Sequence, residues 1–281
     1  MLGAPPDMDV SPLTALVTLL MGVLSGSLGA MLGVGGGVFL VPFLILVVGL
    51  PFHHAAAISL AAVIATSTAV SAATAGRQLI NLRLGMVLEV ATAAGGVTGG
   101  VTAQLLPPET LQIMFAGVAL SVAVAVMRST EVRPLPPDAE VGRLGGRFTD
   151  HHTGQTVNYA VRRLPLSLFA SFLAGNLSTL LGIGGGVVKV PVLVTWSGVP
   201  MRVAAATSAF MIGVTATSGA VIYYGHGEMI PALAAAAVLG TQMGSALGLR
   251  AAARARAGGL RRLLAAVLVV VASLMLYRVM A

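Results

Sequence analysis

A ten-residue phrase occurs twice in this chain, and the repetition constrains the fold more than any other feature. Gly33-Val34-Gly35-Gly36-Gly37-Val38-Phe39-Leu40-Val41-Pro42 returns as Gly182-Ile183-Gly184-Gly185-Gly186-Val187-Val188-Lys189-Val190-Pro191, 149 residues later. The offset holds without a gap well beyond the phrase. It carries Gly26 onto Gly175, Gly49 onto Gly198, Pro51 onto Pro200, Thr66 and Thr68 onto Thr215 and Thr217, and Gly76 onto Gly225. It also carries Ala55-Ala56-Ala57-Ile58-Ser59 onto Ala204-Ala205-Ala206-Thr207-Ser208, and the pair Gly95/Gly99 onto Gly244/Gly248. A repeat of this length means two homologous halves.

The solvent of this fold is lipid. With 57% hydrophobic residues, 9% charged residues and a mean hydropathy of +0.95, the chain has too few charges to cover a water-facing surface. An integral membrane protein is expected, with the bilayer as one partner. The net charge of +7 does not point to nucleic acid, because the arginines lie between apolar segments. There are no cysteines, so disulfide and thiolate chemistry is excluded. Asp7 and Asp9 precede the first apolar segment without any Lys or Arg, which is not the pattern of a cleaved signal peptide, so that segment is expected to remain. Arginine-over-lysine and alanine-rich usage suggests a GC-rich bacterial source.

The fold class predicted is an all-α polytopic membrane protein of about ten hydrophobic segments, five in each half. They lie at 11–32, 36–50, 53–75, 84–106 and 110–128, then at 164–181, 186–198, 201–224, 229–250 and 260–279. This gives a first transmembrane repeat over 11–128, a cytoplasmic linker over 129–163 and a second repeat over 164–281. Segments 36–50 and 186–198 would reach only about 20 Å as helices, and each contains a proline soon after its glycine run. A matched pair of short, glycine- and proline-interrupted segments points to the discontinuous helices of a secondary transporter.

Arginines set the expected orientation. Arg77, Arg83, Arg128, Arg133, Arg143, Arg147, Arg162, Arg163, Arg202, Arg250, Arg254, Arg256, Arg261 and Arg262 fall in alternate loops, leaving only Lys189 and Arg278 of the sixteen basic residues elsewhere. If every segment crosses, those loops are cytoplasmic and both termini lie outside. The intervening loops, around Pro51, Pro107-Pro108-Glu109 and Gly225-His226-Gly227-Glu228, carry no Lys or Arg. Five passes per half is odd, so the second half enters from the opposite side and the halves form an inverted-topology repeat. The linker, with Pro134, Pro136 and Pro137, reads as a partly ordered connector. Its His151-His152 pair lacks further ligands at metal-site spacing, so no metal and no other cofactor is expected.

The glycine runs lack the Gly-Lys-Ser/Thr ending of a P-loop and the sixth-position glycine of a dinucleotide fingerprint, which excludes a nucleotide site. Residues without Cβ atoms let the backbone unwind, and the helix restarting after them points unpaired N–H groups at the break. Two such breaks facing each other, Gly33, Gly35, Gly36 and Gly37 against Gly182, Gly184, Gly185 and Gly186, would form a small cavity suited to an anion. Gly95/Gly99 and Gly244/Gly248 are read instead as helix-packing positions.

Lys189 is the one lysine of the chain and stands where the first half has Leu40. A charge inside an apolar segment is costly and marks function, with a carried anion as its partner, unless the short segment lets its stem snorkel to an interface. Asn176, Ser178 and Thr179 before the second break, Ser25 and Ser27 before the first, and the matched Thr66/Thr215, Thr68/Thr217 and Ser59/Ser208 complete the expected polar lining. Glu89, six residues after Arg83, is expected to form a local ion pair near the cytoplasmic face, with a proton relay as the alternative. His53 and His54 are placed at the outer rim, where they could titrate.

The duplicated Gly-x-Gly-Gly-Gly-x-x-x-x-Pro, the Gly-x-Pro at 49–51 and 198–200, and the Ala/Ser/Thr-rich helix after each resemble the sulfite exporter TauE/SafE family of membrane transporters. The resemblance covers both halves apart from the linker. It implies a polytopic transporter of the bacterial cytoplasmic (inner) membrane that moves small sulfur-containing anions such as sulfite, thiosulfate or organosulfonates, and leaves substrate and direction open. Since the cell interior is negative, outward movement of an anion needs no coupled ion. No acidic pair of the ion-coupling kind stands out, which favours export or uniport. An anion channel of the same architecture and a non-transporting membrane interaction protein are the competing readings. An enzyme is not expected, because no catalytic constellation lies within the segments.

Overall fold

The computed structural model describes residues 11–74, 79–128, 141–149, 156–252 and 257–280. Gly76, Arg77, Arg133, the prolines of the linker and His151-His152 lie outside the described residues, as do the side chains of Arg254, Arg256, Arg261 and Arg262. The described chain is all-α, apart from one short hairpin, as a multi-pass membrane protein should be. Its first five helices are α1 (Pro12–Leu32), α2 (Gly37–Leu46), α3 (Phe52–Thr74), α4 (Leu82–Leu105) and α5 (Pro108–Arg128). Five more follow the hairpin: α6 (Leu164–Leu181), α7 (Gly186–Thr195), α8 (Met201–Gly225), α9 (Pro231–Ala252) and α10 (Ala257–Met280). Seven described helices are long and apolar enough to cross a bilayer.

Local chemistry sets the helix limits. Ser11 caps α1 by accepting from the Thr14 N–H, with Pro12 in the first turn where no N–H is needed. Asn81 does the same for α4 through the Leu84 N–H. At 10 residues each, α2 and α7 span about 15 Å, less than expected, because Gly49 and Gly198 turn the chain at positive φ before Pro51 and Pro200.

Each short helix begins within its glycine run, at Gly37 and at Gly186. The break after α1 folds onto that helix, placing Gly36 against Gly29 and Ser25. From there α2 starts beside Ser59 and Val63 of α3 and ends where Arg278, at the far end of α10, donates to the Ile45 carbonyl.

Packing is tightest at two glycine seams. In α4 against α6, a Cβ on Gly95 would run into the Phe172 carbonyl oxygen and one on Gly99 into that of Asn176. In α9 against α1, Gly244 and Gly248 stand in the same way over Val23 and Ser27. Backbone contact this close is what glycine permits in lipid, where burial of apolar surface gives helices no reason to associate. Helices α3 and α8 pack against each other.

The described part of the linker includes a short hairpin. Strands β1 (Gly146–Thr149) and β2 (Thr156–Tyr159) pair antiparallel, with Gly146 opposite Tyr159. Tyr159 is buried among Leu84, Leu88, Val194 and Val203, and Asn81 donates to its hydroxyl at 3.0 Å. Burial holds the Tyr159 phenol above its ordinary pKa, so it stays protonated. The hairpin thus seals the start of α4 and the end of α7.

Candidate functional site

The breaks share a backbone plan. Gly33 and Gly182 end α1 and α6 at φ 68° and 69°, a left-handed cap that glycine adopts without strain. Beyond them the two runs interlock. A Cβ on Gly37 would stand 2.6 Å from the Gly182 carbonyl oxygen, and one on Gly186 would stand 2.7 Å from that of Gly33. Gly33 abuts Ala205, and Gly182 abuts its counterpart Ala56.

The expected juxtaposition of the two breaks is therefore present, and side chains pack between them. Val63 and Ile212, from the middles of α3 and α8, press on both Gly35 and Gly184. The remaining void of about 10 Å³ touches Gly29, Gly33, Gly35, Thr66, Ser67 and Ile212, and has room for one water at most. The amides of Gly37, Val38 and Gly185 bond no backbone acceptor among the described residues.

Charge gathers beside the second break alone. Lys189 is 2% exposed, so it does not snorkel to an interface. Its Nζ donates to Thr215 Oγ1 at 2.8 Å, and that hydroxyl bonds Glu89 Oε1 at 2.8 Å. Nζ also lies 3.7 Å from Glu89 Oε2, an oxygen with no hydrogen-bond partner. Glu89 is thus paired across three helices and not with Arg83, which is exposed at the start of α4. The local-pair expectation fails because Glu89 lies on the inner face of α4 and Arg83 on the outer. Desolvating two ions is costly, and their mutual attraction with the Thr215 bridge offsets that cost.

Of the other expected lining residues, Ser178 and Thr179 are buried with hydroxyls that find no partner, and Ser178 faces Gly185. Thr179 and Thr215 both border Gly96 of α4. Ser59 donates to the Gly182 carbonyl at 2.7 Å, whereas Ser208, its counterpart, is buried without a partner. Thr66 bonds back to Ala62 at the edge of the small void. Thr68 and Thr217 are exposed and bond their own helices. Asn176 is not drawn to the breaks; it bonds Thr98 within the α4–α6 seam.

His53 and His54 tie helix ends together, to the Ala103 carbonyl at 3.0 Å and the Glu228 carbonyl at 2.7 Å. Sequence reasoning missed Glu89 as a site residue. The signal was available, since it is the one acidic residue inside an apolar segment away from its ends.

These features define a multi-pass helical membrane protein in which two broken helices interlock beside a buried lysine–glutamate pair. The chain belongs to the sulfite exporter TauE/SafE family, whose profile matches residues 18–275, and is therefore a membrane transporter. It is 25% identical over 239 residues to the "Probable membrane transporter protein YunE" of Bacillus subtilis, covering 83% of this chain and 86% of that one. Shorter stretches match two Arabidopsis thaliana proteins. "Sulfite exporter TauE/SafE family protein 5" is 49% identical over 53 residues, covering 19% of this chain and 12% of its own. Family protein 6 is 40% identical over 70 residues, covering 25% and 16%. No solved structure matches the chain.

Proposed function

We propose that this protein is a secondary transporter exporting small sulfur-containing anions, sulfite, thiosulfate or an organosulfonate, across the bacterial cytoplasmic membrane. The substrate sits near the midplane between the two glycine breaks, with Lys189 as its cationic partner, and the halves rock in alternating access. The halves are inverted repeats with both termini outside. One observation carries the reading: the single lysine of the chain is buried beside the second break, where the Gly185 amide bonds no backbone acceptor among the described residues.

Two further observations support it. Exchanging each helix for its counterpart five places on leaves the principal helix contacts unchanged, as an inverted repeat requires: α1–α9 becomes α6–α4, and α3–α8 maps onto itself. The filled space between the breaks favours an occluded state of a carrier over the open pore of a channel. Export is downhill electrically, by roughly 2.3 kcal/mol per charge per 100 mV.

The test is uptake of radiolabelled sulfite and thiosulfate into proteoliposomes under an imposed potential, for wild type and Lys189→Leu. Saturable, potential-sensitive flux that drops at least tenfold in the variant is expected. Flux that does not saturate would favour a channel, and undiminished flux in Lys189→Leu would remove the lysine from the site.

A further inference from the structure

The charge at the second break raises a question that anion binding by Lys189 does not answer. As long as Glu89 is ionised, the lysine is already neutralised, and an anion arriving beside it adds its whole charge to a buried site. Moving Glu89 into water is not available, because it is held on the inner face of α4 and is only 8% exposed.

We propose that Glu89 is the proton acceptor of a coupled cycle, in which each anion bound at Lys189 is accompanied by one proton on Glu89. The inference rests on the anion-transport reading above. In the empty state the pair is Lys189⁺ and Glu89⁻ with no net charge. Loading brings a proton from water to a Glu89 oxygen, converting the carboxylate to a carboxylic acid, and Lys189 turns its charge to the anion. Unloading returns proton and anion to the other side. A monovalent anion then crosses without net charge, and a divalent one carries a single charge.

The geometry suits this exchange. Oε2 lacks a hydrogen-bond partner and is free to take the proton, while Oε1 keeps Thr215. Thr215 bridges the two ions and can hold Nζ as the carboxyl lets go. Lys189 of α7 is the charged group that faces Glu89. The other charged residues of the helices packed on it, Arg83 of α4 and Arg202 of α8, stand in first turns, and α6 contains none. The outward-favouring sequence argument from the lack of an acidic pair is thereby revised, because a proton taken from outside could also drive import.

Thiosulfate, whose charge is fixed at neutral pH, is the probe. Proteoliposomes clamped at zero potential and loaded with a pH dye should acidify as thiosulfate enters, by one proton per anion. Binding of thiosulfate to the purified wild type should weaken about tenfold per pH unit once Glu89 is mostly ionised, the slope of a single linked proton. Glu89→Gln, which has the shape of the protonated acid, should bind without that slope and move no protons. Thiosulfate flux without acidification in the wild type overturns the coupling and leaves the transport reading standing. Acidification that persists in Glu89→Gln overturns the assignment to Glu89, and no flux of any tested anion in the wild type overturns both readings.

Discussion

The two glycine breaks have one backbone plan and two chemistries. At the positions occupied by Lys189, Thr215 and Glu89 beside the second break, the 149-residue offset puts Leu40, Thr66 and Val238 beside the first. The glycine φ values agree at Gly33 and Gly182 and at Gly35 and Gly184, then part: Gly36 is at −69° and Gly185 at +68°. The first break interlocks as closely as the second without any charge. Holding the halves together therefore does not require the ion pair, and a buried pair contributes little net stability in any case. Its presence on one side alone is better explained by what the site must bind than by what the fold must hold.

The strongest way to break the comparison is to make the second half resemble the first. Lys189→Leu alone leaves Glu89 buried without a counter-ion and is expected to cost about 3–5 kcal/mol. Lys189→Leu with Glu89→Val removes both charges and should recover most of that loss, while transport stays absent. Thermal unfolding midpoints in detergent for the two single variants and the double one would measure it. A double variant no more stable than Lys189→Leu would mean that packing of the lysine stem, not charge, holds this region. Thr215→Val should be milder. It keeps the volume but removes the hydroxyl between Nζ and Oε1, for an expected loss of about 1–3 kcal/mol in the same assay.

Much of this was legible in the sequence, for reasons that differ by feature. Helix number and the two short helices follow from apolar length and glycine punctuation, which act locally. Lys189 was legible because a lone charge in an apolar run has few explanations. Its partner was not, because Glu89 is 100 residues away and has no counterpart in the other half to mark it. Spacing to Arg83 suggested a local pair, and spacing alone does not say which face of α4 turns inward. Asn176 was drawn into the site by its closeness in sequence to Gly182, whereas the seam made by Gly95 and Gly99 holds it elsewhere.

The smallest effect sharpens the comparison most. Ser59 bonds the Gly182 carbonyl, and the offset would have Ser208 bond that of Gly33, yet Ser208 has no partner. Ser59→Ala should therefore cost about 1 kcal/mol, while Ser208→Ala should be neutral or slightly stabilising, since it removes an unsatisfied buried hydroxyl. Unfolding midpoints of the two variants, measured side by side, decide it. Equal losses would mean that Ser208 reaches Gly33 in a second state of similar population. In the alternating-access cycle proposed above, two bonds that exchange between states, one made as the other breaks, would let the two halves rock without favouring either side.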